Sequence, residues 1–276
     1  MVSVTRHALQ YGDRRGNWYQ GGGPVMSETA WDLAADRYDD EIFDTVANDR
    51  ESVIHDTLDR LIEPAHTVCD FGCGVGRTLR FLAARAKQVV GVDFSAASLE
   101  IAAGEARNCD NIRLLKRDLA TASRRFCEAD VGLLMQVLIM PSVDLRRAIL
   151  ATTHRNLRSG SHLVAVVPAL EVALLTYHRI GQWQQREGYS RNQAVKEMDS
   201  CAREEVISLV EGIVKISDTP TKHYLREEAV MLFRDAGFQV LEVKKVEYSW
   251  SADFEGAPQW MQDPYPWDWL VVSRKT

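Results

Sequence analysis

Short apolar runs alternate with amphipathic segments along most of the chain. The runs at residues 66–71, 88–92, 111–115, 129–135 and 161–167 are each short enough for a buried strand. The segments between them repeat apolar residues at helical spacing, as residues 77–86 do. Strands that alternate with helices join into a parallel sheet through right-handed crossovers. The pattern therefore predicts an α/β fold with a doubly wound, mostly parallel sheet.

A long insertion follows the fifth run, where a short connection to the next core helix is expected. Two stretches in it carry apolar residues at helical spacing: Leu170, Leu174, Tyr177 and Ile180 with Trp183 nearby, and then Val195, Met198, Ala202, Val206 and Leu209. Short strands are expected at residues 212–217 and 221–225. Two such helices would form a cap beyond the carboxyl edge of the sheet. Their apolar faces either bury only each other or also shape a ligand site.

The same pattern divides the chain into four parts. Residues 1–26 carry arginines and a Gly-Gly-Gly-Pro run and are expected to form a flexible leader or, alternatively, to fold over the site when ligand binds. The core occupies residues 27–168, the helical cap residues 169–222, and the remainder of the core sheet residues 223–276. No apolar signal segment is found near the start of the chain.

Composition narrows the class of partner. The net charge is −6 and no long basic block occurs, so neither a nucleic acid nor a membrane surface is expected as the main partner. No apolar run approaches the roughly 18 residues of a membrane helix. The five cysteines are scattered without metal-ligand spacing, which favours reduced thiols, a cytoplasmic protein and no metal site.

One stretch, VCDFGCGVG at residues 68–76, predicts a strand, a glycine-rich turn and a helix. Glycines at alternate positions let backbone N–H groups approach a ligand at the positive end of the helix. A dinucleotide site has a G-x-G-x-x-G spacing, whereas the spacing here is G-x-G-x-G with Asp70 ahead of it. A carboxylate there repels pyrophosphate and suits an ammonium group. Because Asp93 and Asp118 end the next two strands, the ligand is expected to be a nucleoside with a cationic amino-acid end.

These residues resemble the class I S-adenosylmethionine-dependent methyltransferases over roughly residues 31–275. VCDFGCGVG is similar to the first motif of that family, VVGVDFS at residues 89–95 to the second and KRDLA at residues 116–120 to the third. The resemblance implies a seven-stranded, Rossmann-like methyltransferase fold in which residues 269–273 form a last, antiparallel strand beside residues 238–246. It also implies S-adenosyl-L-methionine as cofactor and S-adenosyl-L-homocysteine as product.

The family's residue roles carry over by position. Asp70 would orient the methionine amino group, Asp93 would bind the ribose hydroxyls and Asp118 would contact the adenine amine. Tyr38 would border the methionine end, or else only pack its helix on the sheet. The full set expected to bind cofactor is Tyr38, Asp70, Gly72, Cys73, Gly74, Gly76, Asp93, Phe94, Asp118, Leu119 and Gln136.

The expected reaction is direct displacement at the sulfonium methyl, in which the protein aligns the reactants and excludes water. An acceptor that carries a proton also needs a base. The topology puts His66, His154 and His162 away from the reacting edge, which leaves His223 and His178 near the cap as candidates, each with packing or surface exposure as the alternative. Aromatic residues of the cap and of the loop before the last strand are candidates for substrate contact, with structural packing under the cap as the alternative: Tyr177, Trp183, Tyr224, Trp250 and Trp260.

The acceptor is expected to be a small molecule. A peptide or protein acceptor and a non-catalytic cofactor-binding module stay open as alternatives, because binding residues alone do not prove turnover. A dinucleotide-dependent dehydrogenase is disfavoured by Asp70 and by the glycine spacing.

Overall fold

The computed structural model describes residues 31, 32, 35, 43–216, 219–254 and 256–276. The strands are β1 Thr67–Phe71, β2 Gln88–Asp93, β3 Ile112–Lys116, β4 Ala129–Met135, β5 Leu157–Pro168, β6 Val206–Ser208, β7 Ile213–Ile216, β8 Thr219–Lys222, β9 Phe238–Glu247 and β10 Trp267–Lys275. The helices are α1 Val53–Leu61, α2 Leu79–Ala83, α3 Ala96–Glu105, α4 Val143–Asn156, α5 Leu170–Arg186, α6 Arg191–Glu205, α7 Arg226–Asp235 and α8 Trp250–Asp253.

The main sheet has seven strands in the order β3-β2-β1-β4-β5-β10-β9. Strands β1 to β5 pair in parallel, and β10 runs antiparallel between β5 and β9. The predicted fold class is therefore confirmed, including the antiparallel last strand. The order reverses direction at β1 and β4, which is the point where ligands bind in open parallel sheets.

Helices cover both faces of this sheet. On one face α1, α2 and α3 bury residues such as Ile54, Leu82 and Ala102 against the strands. On the other face α4 and α7 bury Leu150 and Phe233. Because both faces are covered, β4 is buried along most of its length and consists largely of apolar residues.

The cap contains two helices and a small sheet. Helices α5 and α6 are followed by a three-stranded antiparallel sheet in the order β6-β7-β8. The second predicted helical stripe is too long: α6 ends at Glu205, Val206 begins β6 and pairs with Val214, and Leu209 is 55% exposed. The β-branched Val206 suits a strand, and its pairing takes the place of further helical hydrogen bonds. Leu174 of α5 is also exposed rather than buried, so the first stripe is narrower than predicted.

The end of the cap is hydrogen-bonded to the carboxyl edge of the main sheet. The amide of Lys222 donates to Ile139 O at 2.7 Å, and that of Tyr224 donates to Pro168 O at 2.8 Å. The Leu170 amide, at the start of α5, donates to Tyr224 O at 2.9 Å. These bonds fix both ends of the insertion beside the segments that follow β4 and β5.

A third apolar cluster joins the cap to the loop between β9 and β10. Tyr177, Ile180 and Met198 of the cap pack with Trp250, Phe254 and Met261 of the loop. The Trp250 and Phe254 rings stack with centroids 5.6 Å apart. Cap and loop therefore form one continuous wall at the edge where ligands bind. Within the described part of the chain, no helix combines the length and apolar character needed to span a bilayer.

Candidate functional site

The glycine-rich turn follows β1 at its carboxyl end and is hydrogen-bonded to the neighbouring strand β2. The amides of Gly72 and Cys73 both donate to Val92 O, at 2.7 and 3.0 Å. Gly72 has a φ of +81°, and a Cβ on it would lie 2.5 Å from a methyl carbon of Val137. Glycine is therefore required here both by conformation and by the close approach of the segment after β4. Gly74 and Gly76 also have positive φ, so three residues of the turn adopt a conformation that favours glycine and carry no Cβ over the backbone.

Asp70 is a buried carboxylate at the base of this turn. It is 1% exposed, and its Oδ2 accepts a hydrogen bond from the Thr78 hydroxyl. Its Oδ1 is buried and has no hydrogen-bond partner among the described residues. Burial, with a smaller contribution from the nearby Asp93, raises the pKa of Asp70 to about 6, and the hydrogen bond from Thr78 opposes this rise. A buried carboxylate oxygen without a donor is a site that an ammonium group would satisfy.

Asp93 ends β2 with both carboxylate oxygens engaged by backbone. Oδ2 accepts from the Gly74 amide and Oδ1 from the Ser95 amide, each at 2.9 Å. Burial raises the pKa of Asp93, and these backbone donors oppose the rise. Each oxygen keeps a further lone pair, so the carboxylate can accept two hydroxyl donors on the ligand side.

Asp32 is hydrogen-bonded to Ser95, two residues after Asp93. The Ser95 hydroxyl donates to Asp32 at 2.6 Å while also capping α3 by accepting from the Ser98 amide. The hydrogen bond from Ser95 lowers the pKa of Asp32. Tyr38, which was predicted to border the methionine end, lies outside the described residues.

The third motif lies at the end of β3. Asp118 is exposed, and its carboxylate accepts from the Ala120 amide at 2.8 Å and from the Thr121 hydroxyl at 3.0 Å. Leu119 beside it is buried, and Phe94 is half-buried. Cys73 is buried within the glycine turn, where desolvation raises the pKa of its thiol, so it is a neutral packing residue at neutral pH.

Gln136 follows β4 at the edge next to the glycine turn. It is a non-glycine residue with a φ of +56°, a conformation that is sustained only where surrounding contacts hold it. Its Nε2 donates to Asp268 Oδ2 at 2.6 Å and to the Thr45 hydroxyl at 3.1 Å. Its Oε1 is buried and has no hydrogen-bond partner within the described ranges.

Asp268 and Thr45 were missed by the sequence reasoning. Asp268 is 4% exposed on β10, beside the end of β5 at Pro168. A single acid in the apolar first part of a strand that begins at the reacting edge is the signal that could have found it. Thr45 carries no comparable signal.

The two candidate histidines lie in different surroundings. His223 is 7% exposed and lies between the two residues that are bonded to the ends of β4 and β5. Its Nδ1 is 3.1 Å from Thr221 O, which can only accept, so Nδ1 carries the hydrogen and Nε2 is the lone-pair nitrogen. Burial lowers the pKa of His223 to about 4. His178 is exposed on α5, with its Nε2 3.2 Å from the Gln182 amide.

The three histidines predicted to lie away from the reacting edge do so. His66 and His162 lie at the start of β1 and within the early part of β5, and His154 lies near the end of α4 against Phe238.

The aromatic candidates divide between packing and partial exposure. Tyr224 and Trp250 are buried with their polar atoms satisfied, the Tyr224 hydroxyl by Leu138 O at 2.6 Å and the Trp250 indole by Gln262 O and Pro264 O at 3.1 Å. The Tyr177 hydroxyl donates to Glu205 at 2.8 Å. Trp183 and Trp260 are half-buried, and the Arg186 guanidinium lies 4.0 Å from the Trp260 ring centre. We find no cluster of three or more metal-ligating side chains among the residues that are described.

The comparisons with known proteins agree with this geometry. The family model described as "Methyltransferase domain" matches residues 68–160. A search of curated proteins gave no match. Among solved structures, the chain is similar to the Burkholderia thailandensis 1,6-didemethyltoxoflavin-N1-methyltransferase with bound 1,6-didemethyltoxoflavin and S-adenosylhomocysteine, at 16% identity and a TM-score of 0.56, covering 94% of this chain and 92% of that one.

Two further structures share the fold. The N-methyltransferase NodS from Bradyrhizobium japonicum WM9, in complex with S-adenosylhomocysteine, has 12% identity and a TM-score of 0.54, covering 89% of this chain and 98% of that one. The [4+2]-cyclase SpnF has 15% identity and a TM-score of 0.58, covering 92% and 99%. Identities this low show the fold alone, so the family assignment depends on the matched domain and on the residues in it.

Those residues fit S-adenosylmethionine. The Asp70 oxygen without a donor suits the methionine ammonium, the glycine turn without Cβ atoms at three positions suits the amino-acid chain, and Asp93 retains lone pairs for the ribose hydroxyls. The match of residues 68–160 to a methyltransferase domain, the sheet order and this acceptor set together support a class I S-adenosylmethionine-dependent methyltransferase.

Proposed function

We propose that this methyltransferase acts on a small molecule by direct displacement. The observation that supports a small acceptor is the wall formed by the cap and the β9–β10 loop, where Tyr177, Ile180 and Met198 pack on Trp250 and Phe254. A wall of this kind beyond the carboxyl edge would cover one side of the site, and covered, concave sites suit small ligands better than folded protein surfaces do. The Burkholderia thailandensis structure holds bound 1,6-didemethyltoxoflavin and S-adenosylhomocysteine in the same fold, which favours the same kind of acceptor here.

The residues of the chain hold and align the reactants. Asp70, the glycine turn and Asp93 would hold the cofactor, with Asp118, Leu119 and Phe94 as proposed contacts of its adenosine part. When bound, the cofactor supplies an electrophilic methyl group on a positive sulfur, which leaves as a neutral thioether. The cap and the loop exclude water from that centre, so that alignment carries most of the rate enhancement.

His223 is the group we propose for removing a proton from the acceptor. Its Nε2 is the unprotonated nitrogen, and a pKa of about 4 keeps the imidazole neutral and ready to accept at neutral pH. The variant His223→Asn retains an N–H that can donate to Thr221 O but has no nitrogen at the Nε2 position. If His223 is the base, this variant loses turnover while its melting temperature and cofactor affinity stay close to those of the wild type. Normal turnover would exclude His223 from the reaction.

The substrate class is tested with cofactor carrying a tritiated methyl group. One cell extract is divided by ultrafiltration into a metabolite fraction and a macromolecule fraction, and both are incubated with the protein. We expect label in the metabolite fraction, and none with the Asp70→Asn variant, which cannot pair with the methionine ammonium. Label confined to the macromolecule fraction would indicate a protein acceptor. No label in either fraction, although cofactor binds, would indicate a non-catalytic module.

We also propose a cytoplasmic location, because all five cysteines are free thiols and two of them, Cys69 and Cys73, are buried.

A further inference from the structure

We propose that the side-chain oxygen of Gln136 orients the acceptor, and that the acceptor is an amine whose nitrogen keeps a hydrogen while it attacks. Asp268 and Thr45 are then positioning residues that hold the Gln136 amide. This inference rests on the proposed function and extends it by naming the nucleophile. In the alternative carried by the family resemblance, Gln136 contacts the cofactor itself.

The position of Gln136 brings it to the reacting centre. Leu133 of β4 pairs with Asp70 of β1, so the residues that follow each strand lie side by side at the carboxyl edge. Val137, the next residue, lies so close to Gly72 that no Cβ fits between them. Gln136 therefore lies next to the turn that would carry the methionine part of the cofactor, on the side of β5 and β10.

The orientation of the amide follows from its partners. The Asp268 carboxylate 2.6 Å away can only accept, so the Gln136 atom that faces it is the nitrogen, as the Thr45 contact at 3.1 Å also allows. The Gln136 oxygen is then directed away from Asp268, and it is buried without a hydrogen-bond donor in the described part of the chain. Leaving an acceptor buried and unpaired costs about 1–3 kcal/mol, so a ligand donor is expected to occupy it.

The chemistry of a carbonyl oxygen selects the nucleophile. An amide oxygen accepts a hydrogen bond at neutral pH but does not take the proton away. A hydroxyl must give up its only hydrogen as it attacks, whereas a neutral primary or secondary amine attacks through its lone pair and keeps an N–H throughout. As the N–C bond forms and the C–S bond breaks, the sulfur keeps the electron pair and the nitrogen becomes positive.

The hydrogen bond to Gln136 strengthens during that step. A positive nitrogen donates more strongly than a neutral one, and donation from Nε2 to the Asp268 carboxylate makes the amide oxygen a better acceptor. An interaction that grows as the reaction proceeds accelerates it. The resulting ammonium then releases its proton to His223, the proposed base.

The test compares two ligands that differ at the methyl position. Sinefungin carries a protonated amine where the transferred methyl stands, and S-adenosylhomocysteine carries nothing there. Calorimetric titration of the wild type is expected to show sinefungin binding about tenfold or more tighter, because a charge-assisted hydrogen bond is formed. In Gln136→Met the two dissociation constants should lie within about twofold of each other, with that of S-adenosylhomocysteine little changed.

Two further variants make the result specific. Thr45→Val keeps the Gln136 oxygen but removes one of the two groups that hold the Gln136 amide, so it should reduce the preference for sinefungin by about threefold. This variant also tests the inference if Gln136→Met fails to fold. Gln184→Met is the matched control. The Gln184 amide likewise donates to a carboxylate, that of Glu197 at 3.1 Å, and its oxygen is buried and unpaired among the described residues. Gln184 lies within the cap, however, and not beside the glycine turn. It should leave the preference unchanged.

Three outcomes would overturn the inference. If Gln136→Met weakened the binding of both ligands equally, Gln136 would be a contact of the cofactor. Equal affinity of the wild type for both would mean that no acceptor group faces the methyl position. Failure of the wild type to bind S-adenosylhomocysteine at all would remove the proposed function itself, and with it this extension.

Discussion

Cofactor affinity should depend on pH through Asp70. Burial raises the pKa of this carboxyl from 3.8 to about 6 in the free protein. The ammonium of S-adenosylhomocysteine pairs only with the ionised form, so binding competes with the proton. For a pKa of about 6, the apparent dissociation constant is unchanged at about pH 8, doubled at about pH 6 and about tenfold higher at about pH 5. The amine of the ligand stays protonated throughout this range.

The sign of the effect also applies to stability without ligand. Because the folded protein holds the Asp70 proton more tightly than the unfolded chain, the free energy of unfolding falls as pH rises from about 4 to about 6. The shift from 3.8 to about 6 corresponds to about 3 kcal/mol. A bound ammonium offsets this loss, so the stabilisation by S-adenosylhomocysteine should be larger at neutral pH than at acid pH.

The assay is calorimetric titration between about pH 5 and 8 in two buffers of different ionisation enthalpy. At about pH 6 binding should release about half a proton. Asp93, whose pKa burial also raises, is the other group that could titrate, so Asp93→Asn should retain the pH dependence and Asp70→Asn should lose it. A dissociation constant that stays flat down to about pH 5 in the wild type would refute the assignment of Asp70 to the ammonium.

Two further predictions concern stability. Gly72→Ala puts a Cβ 2.5 Å from Val137 at a φ of +81°, so in a urea titration it should lower the free energy of unfolding by about 2 kcal/mol, and it should also weaken cofactor binding. The control is Gly104→Ala, in α3 with open space around it, which should be neutral or stabilising in the same titration. Glu228→Gln leaves the buried Lys222 ammonium without the carboxylate that lies 2.5 Å from it, and it should destabilise by about 3 kcal/mol. Lys222→Met should cost less, because Glu228 is partly exposed; equal losses would contradict this reasoning.

The parts of the site that lie close together in the sequence could be predicted from it. The turn at residues 72–76, Asp70 and Asp93 lie at strand ends, and the alternation of apolar runs with helical segments predicts a parallel sheet. Gln136 was expected in the site, but the contacts that hold its amide could not be predicted, since it meets Thr45 across 91 residues and Asp268 across 132. That contact exists only because β10 reverses direction and enters the sheet beside β5.

The cap shows the same limit for secondary structure. Helical spacing continues through Val206 and Leu209, but the chain leaves the helix at Glu205 because a partner strand is available at Val214. Periodicity within one segment carries no information about such a partner. For Trp250 the sequence left packing and substrate contact open, and burial with both indole acceptors in place supports packing.

The hydrogen bond between Ser95 and Asp32 has a practical consequence for anyone who shortens the chain. Ser95 bonds Asp93 through its amide and Asp32 through its hydroxyl, so one residue links the acid proposed to bind the ribose to a segment far upstream. A truncation that starts beyond residue 32 removes an acceptor from the first turn of α3 and leaves the Ser95 hydroxyl free to turn. Such a shortened protein is a cofactor-site variant, even though every motif residue is still present.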